Sequence, residues 1–166
     1  MNPEINNDYV KLNRLDKNNL AMVKNWYSQM NSYGYATGGK EPDEAIFGQS
    51  SSMENCFTLG IYPAYSENCI GIVSGEVKTS KKPVLWIRTF FIDEQWQRKH
   101  FGTYAFQSLT EFFYRHYNTK RAYVSVSVEN ETGIAFWKSL CFYCVKIMSL
   151  SESEDQGILI LEKVIK

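Results

Sequence analysis

The order of strand-like and helix-like segments predicts a mixed α/β domain, with one mainly antiparallel sheet of six to seven strands flanked by about four helices. Two observations carry that expectation. Apolar, β-branched runs of strand length recur along the chain, several joined directly by short turn segments. Between others lie stretches whose apolar residues return at helical spacing. A third observation sets the domain count. The 166 residues show no internal repeat, low-complexity tract or linker, so residues 1–166 read as a single domain, which at this size buries roughly 70% of its unfolded surface.

The elements follow in order. Tyr9–Leu15 alternates as a strand. Asp16 is placed to cap a helix from Lys17 to Met30, with Leu20, Val23 and Trp26-Tyr27 on one face. Residues 31–40 hold three glycines and read as a loop, and Glu41-Pro42-Asp43 opens a short helix to Phe47. Phe57–Tyr62 and Ile70–Lys78 read as antiparallel strands, and Ser80-Lys81-Lys82-Pro83 turns the chain into Val84–Ile92, a central strand. A long amphipathic helix runs from Gly102 to Tyr117, with Ala105, Leu109, Phe112 and His116 along one stripe, where His116 reads as a packed side chain. Arg121–Val128 is a strand and Thr132–Leu140 a short helix. Phe142–Leu150 and Ile158–Ile165 close the chain as a hairpin across acidic residues 151–156.

Composition narrows the function classes. No apolar run approaches the roughly 20 residues that span a bilayer, and Met1–Asn6 has no basic or apolar leader character. A cytoplasmic protein without a membrane partner is expected, as a monomer or homodimer. Formal net charge is zero, which argues against nucleic acid as a partner. The charge is nevertheless uneven: residues 71–146 carry 11 Lys/Arg against 6 Asp/Glu, net +5, so an anionic ligand would favour the middle of the chain. Of four cysteines only Cys141 and Cys144 are suggestively spaced. With His100 and His116 as the only histidines no metal site is expected, and the cysteines read as reduced and mostly buried.

One segment carries chemistry: Phe90-Phe91-Ile92-Asp93-Glu94-Gln95-Trp96-Gln97-Arg98-Lys99-His100-Phe101-Gly102-Thr103. A strand ends, a short loop brings Arg98 and Lys99, and Gly102 opens a helix. Free N–H groups and the positive dipole end at a helix N-terminus bind phosphate. Flanking cations add charge-assisted contacts.

This segment resembles the signature of the GNAT acyltransferase superfamily, Gln/Arg-x-x-Gly-x-Gly/Ala between a strand and a helix. Gln97 fits the first position and Gly102 the last, while His100 replaces the first glycine. Asn130 followed by Ala135-Phe136-Trp137-Lys138-Ser139-Leu140-Cys141-Phe142 resembles the family's second block, and the element order matches along nearly the whole chain. The resemblance implies an acyl-CoA N-acyltransferase-like fold. It also implies an acetyl-CoA-dependent N-acetyltransferase acting by direct attack in a ternary complex on a small-molecule amine or a protein amino group. A catalytically weak acyl-CoA-binding or regulatory module of the same fold is the alternative. The implied roles are residue by residue. The Phe90, Phe91 and Ile92 backbone pairs with the pantetheine arm, and the Ile92 N–H polarises the thioester carbonyl. Gln97, Arg98, Lys99, His100, Phe101, Gly102 and Thr103 form the pyrophosphate cradle. Asn130 hydrogen-bonds the arm, with Phe136 and Trp137 beside it. Strands splayed beyond Ile92 would make the slot.

No motif places an acid or base. Trp137 stands where many relatives carry a tyrosine acid, and Val84–Ile92 has no carboxylate or histidine. The candidates that remain are Glu76, Glu129, Tyr123 and Tyr143, with Ser125 and Ser127 on the next strand. On the acceptor side, Trp26, Tyr27, Tyr33 and Tyr35 offer aromatic faces for an ammonium group. Glu41, Asp43 and Glu44, and also Glu152, Glu154 and Asp155, offer opposite charge.

Overall fold

The structure, a computed structural model, describes residues 3–15, 17–31, 55–149 and 157–165, with the backbone alone described for Lys17, Leu20, Tyr27, Gln29, Met30 and Asn31. Eight strands and three α-helices lie within these residues. They are β1 (Ile5–Asn6), β2 (Val10–Arg14), α1 (Leu20–Asn31, entered through a 3-10 turn), β3 (Cys56–Pro63), β4 (Gly71–Lys78) and β5 (Val84–Ile92). Then come α2 (Phe101–Tyr117), β6 (Arg121–Ser127), α3 (Glu131–Ser139), β7 (Tyr143–Ser149) and β8 (Gly157–Val164). All strands form one sheet in the order β1-β2-β3-β4-β5-β6-β8-β7. Every neighbouring pair is antiparallel except β5 and β6. The expected mixed sheet is therefore present, with one strand more than expected because Ile5–Asn6 adds a two-residue edge too short to show periodicity. The short helix expected near Pro42–Phe47 lies outside the described residues, as do the cap at Asp16 and residues 151–156. No described helix is long and apolar enough to cross a membrane.

The sheet has two differently covered faces. On one, α2 and α3 pack through Phe101, Ala105, Phe106, Leu109, Phe113, Trp137 and Leu140 onto Leu59, Val73, Leu85, Ile87, Val124, Val126 and Leu161. On the other, Val23 and Trp26 of α1 pack on Leu15, Tyr62, Cys69 and Ile72. Each fully buried Leu or Phe contributes about 1.5–3 kcal/mol, so the α2 face carries most of the stability. The α2 helix ends at Asn118, held at φ 53°, whose N–H returns to carbonyls of the last turn. Asn tolerates that left-handed conformation better than most residues. His116, expected to be packed, is exposed at that end and stacks on Phe112 at 4.2 Å. Cys56 and Cys69 are buried and burial pushes the Cys69 thiol up, whereas Cys141 and Cys144 are exposed, contrary to the expectation that most would be inside.

One irregularity in β5 positions the site. Ser74 pairs with Thr89 and Gly75 with Ile87, which leaves Arg88 as an extra residue in the strand, a β-bulge. Strand side chains alternate between faces. Leu85 and Ile87 therefore point to the α2 face, and without the bulge Thr89 and Phe91 would follow them. Instead Phe90 and Ile92 face α2 and α3, while Phe91 packs against the other core beside Trp26.

Candidate active site

The parallel pairing of β5 with β6 is short. It covers Leu85↔Ala122, Trp86↔Tyr123 and Ile87↔Val124, and stops there. The strands part from Arg88 onward, five residues earlier than a splay beyond Ile92 would begin. The parting opens a pocket lined by Ile87, Arg88, Phe90, Val124, Ser125, Val126, Ser127, Asn130, Trp137 and Ile158. Its two sides differ in chemistry. Phe90, Val124, Val126 and Trp137 are apolar groups of the α2 face. Ser125 and Ser127 alternate with Val124 and Val126 along β6 and so face the opposite side. Arg88 is on that side too, because its guanidinium Nη2 donates to Glu76 Oε2 at 2.8 Å.

The β5 edge is turned toward the opening. The Asp93 N–H donates to Ile70 O at 2.8 Å. By the antiparallel alternation this directs the backbone groups of Ile92 away from β4 and toward the slot. Its carbonyl accepts from Gln97 Nε2 at 2.8 Å. Gln97 thus braces the strand end against the loop that follows. Asp93 braces it from the other side, with Oδ1 accepting from the Gln95 N–H at 3.0 Å and Oδ2 from Trp26 Nε1 at 2.9 Å.

Next comes the helix N-terminus. The first bond into α2 is Tyr104 N–H to His100 O, 3.0 Å, so the N–H groups of Phe101, Gly102 and Thr103 have no partner within the helix. His100 supplies no side-chain cap. By contrast α3 is closed, since the Asn130 side-chain oxygen accepts from the Gly133 N–H at 2.8 Å. The first turn of α2 holds no acidic residue, and Arg98, Lys99 and His100 are exposed just before it. Lys99 Nζ sits 5.2 Å over the Trp96 ring, which itself meets Phe101 edge-on at 5.5 Å. An open helix N-terminus preceded by Arg98 and Lys99 has the charge and free donors that suit an anion.

His100 has φ 64° and Arg98 φ 58°, the left-handed region that glycine enters freely and histidine better than branched residues. The loop geometry explains a glycine at this position, and the His100 backbone adopts the same turn. Gly102 answers a different need. A Cβ there would lie 3.2 Å from Phe136 Cε2, so its missing side chain lets α3 close on the start of α2. Phe101, expected in the cradle, contributes backbone only, its ring being buried in the core. The second block, Asn130 to Phe142, supplies the apolar wall. Trp137, 6% exposed, meets Phe90, Phe106, Phe136 and Phe142 at centroid distances of 5.0–5.7 Å.

The acid and base candidates separate from this slot. Glu76 is paired with Arg88 at 2.8 Å and with Lys78 at 3.6 Å and is not among the residues lining the slot. Tyr143 lies on the sheet edge and donates to Glu162 Oε1 at 2.7 Å, and that bond raises its pKa. Tyr123 stacks on Trp86 at 5.6 Å, and burial followed by its bond to Glu162 raises its pKa also. Glu162, 4% exposed, was missed by sequence reasoning; an acidic residue between Leu161 and Lys163 in an apolar strand was the available signal. Burial works to raise its pKa, but bonds from Tyr123 and Tyr143 and the Arg121 guanidinium outweigh this and hold it below the usual range. Glu129 is exposed on the turn before Asn130, outside the slot lining. On the acceptor side, Trp26 is fully buried beside Phe91 and is a core residue, not an open aromatic face. The Tyr27 side chain, Tyr33, Tyr35, Glu41, Asp43 and Glu44 lie outside the described residues.

The family model for the acetyltransferase (GNAT) domain matches residues 40–151, more than half of the chain. The chain belongs to the GNAT acetyltransferase family. Solved structures agree with the fold. An acetyltransferase from Salmonella typhimurium that modifies the N-terminal serine of ribosomal protein L7/L12 superposes with a TM-score of 0.78 at 13% identity, covering 99% of this chain and 100% of that one. The spermidine N-acetyltransferase of Vibrio cholerae, solved with CoA and spermine, gives 0.75 at 16% identity, covering 95% and 96%. A microcin C7 self-immunity acetyltransferase, solved with acetyl-CoA and AMP, gives 0.70 at 19% identity, covering 96% and 94%. No curated protein matches the chain in sequence. The opening between β5 and β6 and the uncapped start of α2 flank one short connection, residues 93–100.

Proposed function

We propose that this GNAT protein transfers the acetyl group of acetyl-CoA to an amine by direct attack in a ternary complex. The observation that carries the reading is the parting of β5 from β6 after Ile87 and Val124, beside an uncapped α2 N-terminus flanked by Arg98 and Lys99. A strand edge without a strand partner offers backbone groups to an extended amide-bearing arm, as in strand addition. The Phe101, Gly102 and Thr103 N–H groups offer the pyrophosphate its donors. The apolar wall of Phe90 and Trp137 excludes water from the arm, and Asn130 brings its amide to the same pocket.

In this reading the acceptor nitrogen attacks the thioester carbonyl, its developing oxyanion facing the Ile92 N–H. The C–N bond forms, the C–S bond breaks, and CoA leaves as thiolate. The Ser125 and Ser127 hydroxyls line the acceptor side, where water takes the ammonium proton. A thiol of pKa about 8.5 leaves without a strong acid, which suits Trp137 at that wall. Positioning and oxyanion stabilisation then supply most of the rate, since acid–base assistance is worth about 10²–10⁴.

A second reading has its own observation. The slot lining includes no carboxylate or histidine, and Trp137 cannot act as an acid, as in a weak acyl-CoA-binding module. Calorimetry with acetyl-CoA and thiol release with a panel of amines and peptide N-termini test both. Tight binding with turnover supports the transferase. Tight binding with no turnover across the panel supports the binding module, and absence of binding refutes both.

A further inference from the structure

Among the described residues that line the slot, Ser125 and Ser127 offer neutral hydroxyls and Arg88 carries the one charge. Arg88 follows Trp86 on this face, just before the bulge shifts the alternation, and its guanidinium Nη2 donates to Glu76 Oε2 at 2.8 Å. That bond does not cancel its charge. Glu76 is shared with Lys78 at 3.6 Å, and Lys78 Nζ lies 4.7 Å over the Trp86 ring. The group therefore comprises two cations and one carboxylate, a net positive charge beside the opening.

The consequence for the acceptor follows from charge. A free polyamine approaching here meets like charge, whereas a substrate bearing a carboxylate as well as an amine meets a guanidinium in the slot wall. Arg is suited to this because its planar fork binds carboxylates through paired N–H groups. We propose that Arg88 is the specificity-determining residue of the acceptor side, and that the acceptor is an amine whose molecule also carries a carboxylate. Glu76 is the positioning residue that holds the guanidinium at the slot. The inference rests on the acetyl-transfer reading above and narrows its substrate class.

Matched acceptors test it: amino acids against their neutral amides, with spermidine as the cationic comparison, in a thiol-release assay with acetyl-CoA. The free acids are expected to show kcat/KM at least tenfold above the amides, in line with one charge-assisted hydrogen-bonded contact. Arg88→Gln should raise KM for the acids about tenfold or more and that for the amides far less, and Arg88→Lys should keep part of the preference. A carboxylic acid lacking the amine should inhibit the unaltered protein competitively against the acceptor, and its amide should not. This measurement needs no variant. Equal use of acids and amides, or an equal effect of Arg88→Gln on both, overturns the assignment while leaving acetyl transfer intact. Acetyl-CoA binding with no turnover of any acceptor overturns the transferase reading, and the Arg88 assignment with it.

Discussion

Replacing Gly133 by alanine sets stability against cofactor binding. An added Cβ would lie 2.6 Å from Asn130 Nδ2, 2.8 Å from its Cγ and 2.9 Å from Oδ1, closer than a Cβ approaches any heavy atom outside bonding. The Asn130 side chain must swing away and give up its 2.8 Å bond to the Gly133 N–H. Loss of such a cap costs about 0.5–2 kcal/mol. Alanine in place of glycine within a helix returns about 1 kcal/mol. The two nearly cancel, so the melting temperature should move by no more than about 4 °C for a chain of this length. Cofactor affinity has no such compensation. Removing the Asn130 amide from the pocket takes away one hydrogen bond, worth about 0.5–1.5 kcal/mol, or a two- to tenfold weaker Kd for acetyl-CoA. Asn130→Ala should show the same affinity loss without the helix gain, and so melt lower. Calorimetry and thermal denaturation on the two variants decide the matter. An unchanged Kd in both would refute the placement of Asn130 on the pantetheine arm.

Three further outcomes are expected. Exchanging His100 for glycine should leave acetyl-CoA affinity unchanged, because the cradle is backbone, whereas His100→Val should cost about 1–2 kcal/mol at φ 64°, read by denaturant unfolding. Trp137→Tyr should raise kcat without changing acetyl-CoA binding if the leaving thiolate gains a proton donor, whereas Trp137→Ala should cost about 3–5 kcal/mol of stability. The depressed Glu162 pKa contributes stability above the unfolded value of about 4.3, lost as pH falls through the lower folded value. Acid titration of the melting temperature should therefore show a step below about pH 4.3 that Glu162→Gln lacks. The raised Tyr123 and Tyr143 pKa values act in the opposite sense, with stability lost as pH rises through them.

Much of this fold was legible because its signals are local. Val84–Ile92 and Phe101–Tyr117 follow the expected bounds within one residue, since a β-branched run and a 3.6-residue stripe each declare their own period. Ile5–Asn6 is too short to have a period and escaped notice. The uncapped α2 N-terminus was legible for the same local reason, as Gln97 to Thr103 are consecutive. The contacts around Arg88 and Glu162 were not. Arg88 meets Glu76 across the β4–β5 pair and Tyr143 meets Glu162 across the β7–β8 pair, contacts between residues distant in sequence. Trp26 misled in the opposite direction: an aromatic near a glycine-rich stretch looks available, but its indole is spent on Asp93 in the core.

The extra residue in β5 acts as a phase slip in a wave of period two. What matters for everything downstream is that position 88 exists, not what occupies it. Deleting it would turn Phe90 and Ile92 away from α2 and α3 and put Phe91 in their place. Exchanging its side chain would leave that phase untouched. Strand length and side-chain chemistry at this point are thus independent variables. A change of side chain at position 88 alters the chemistry of the slot wall while the faces taken by Phe90, Phe91 and Ile92 stay as they are.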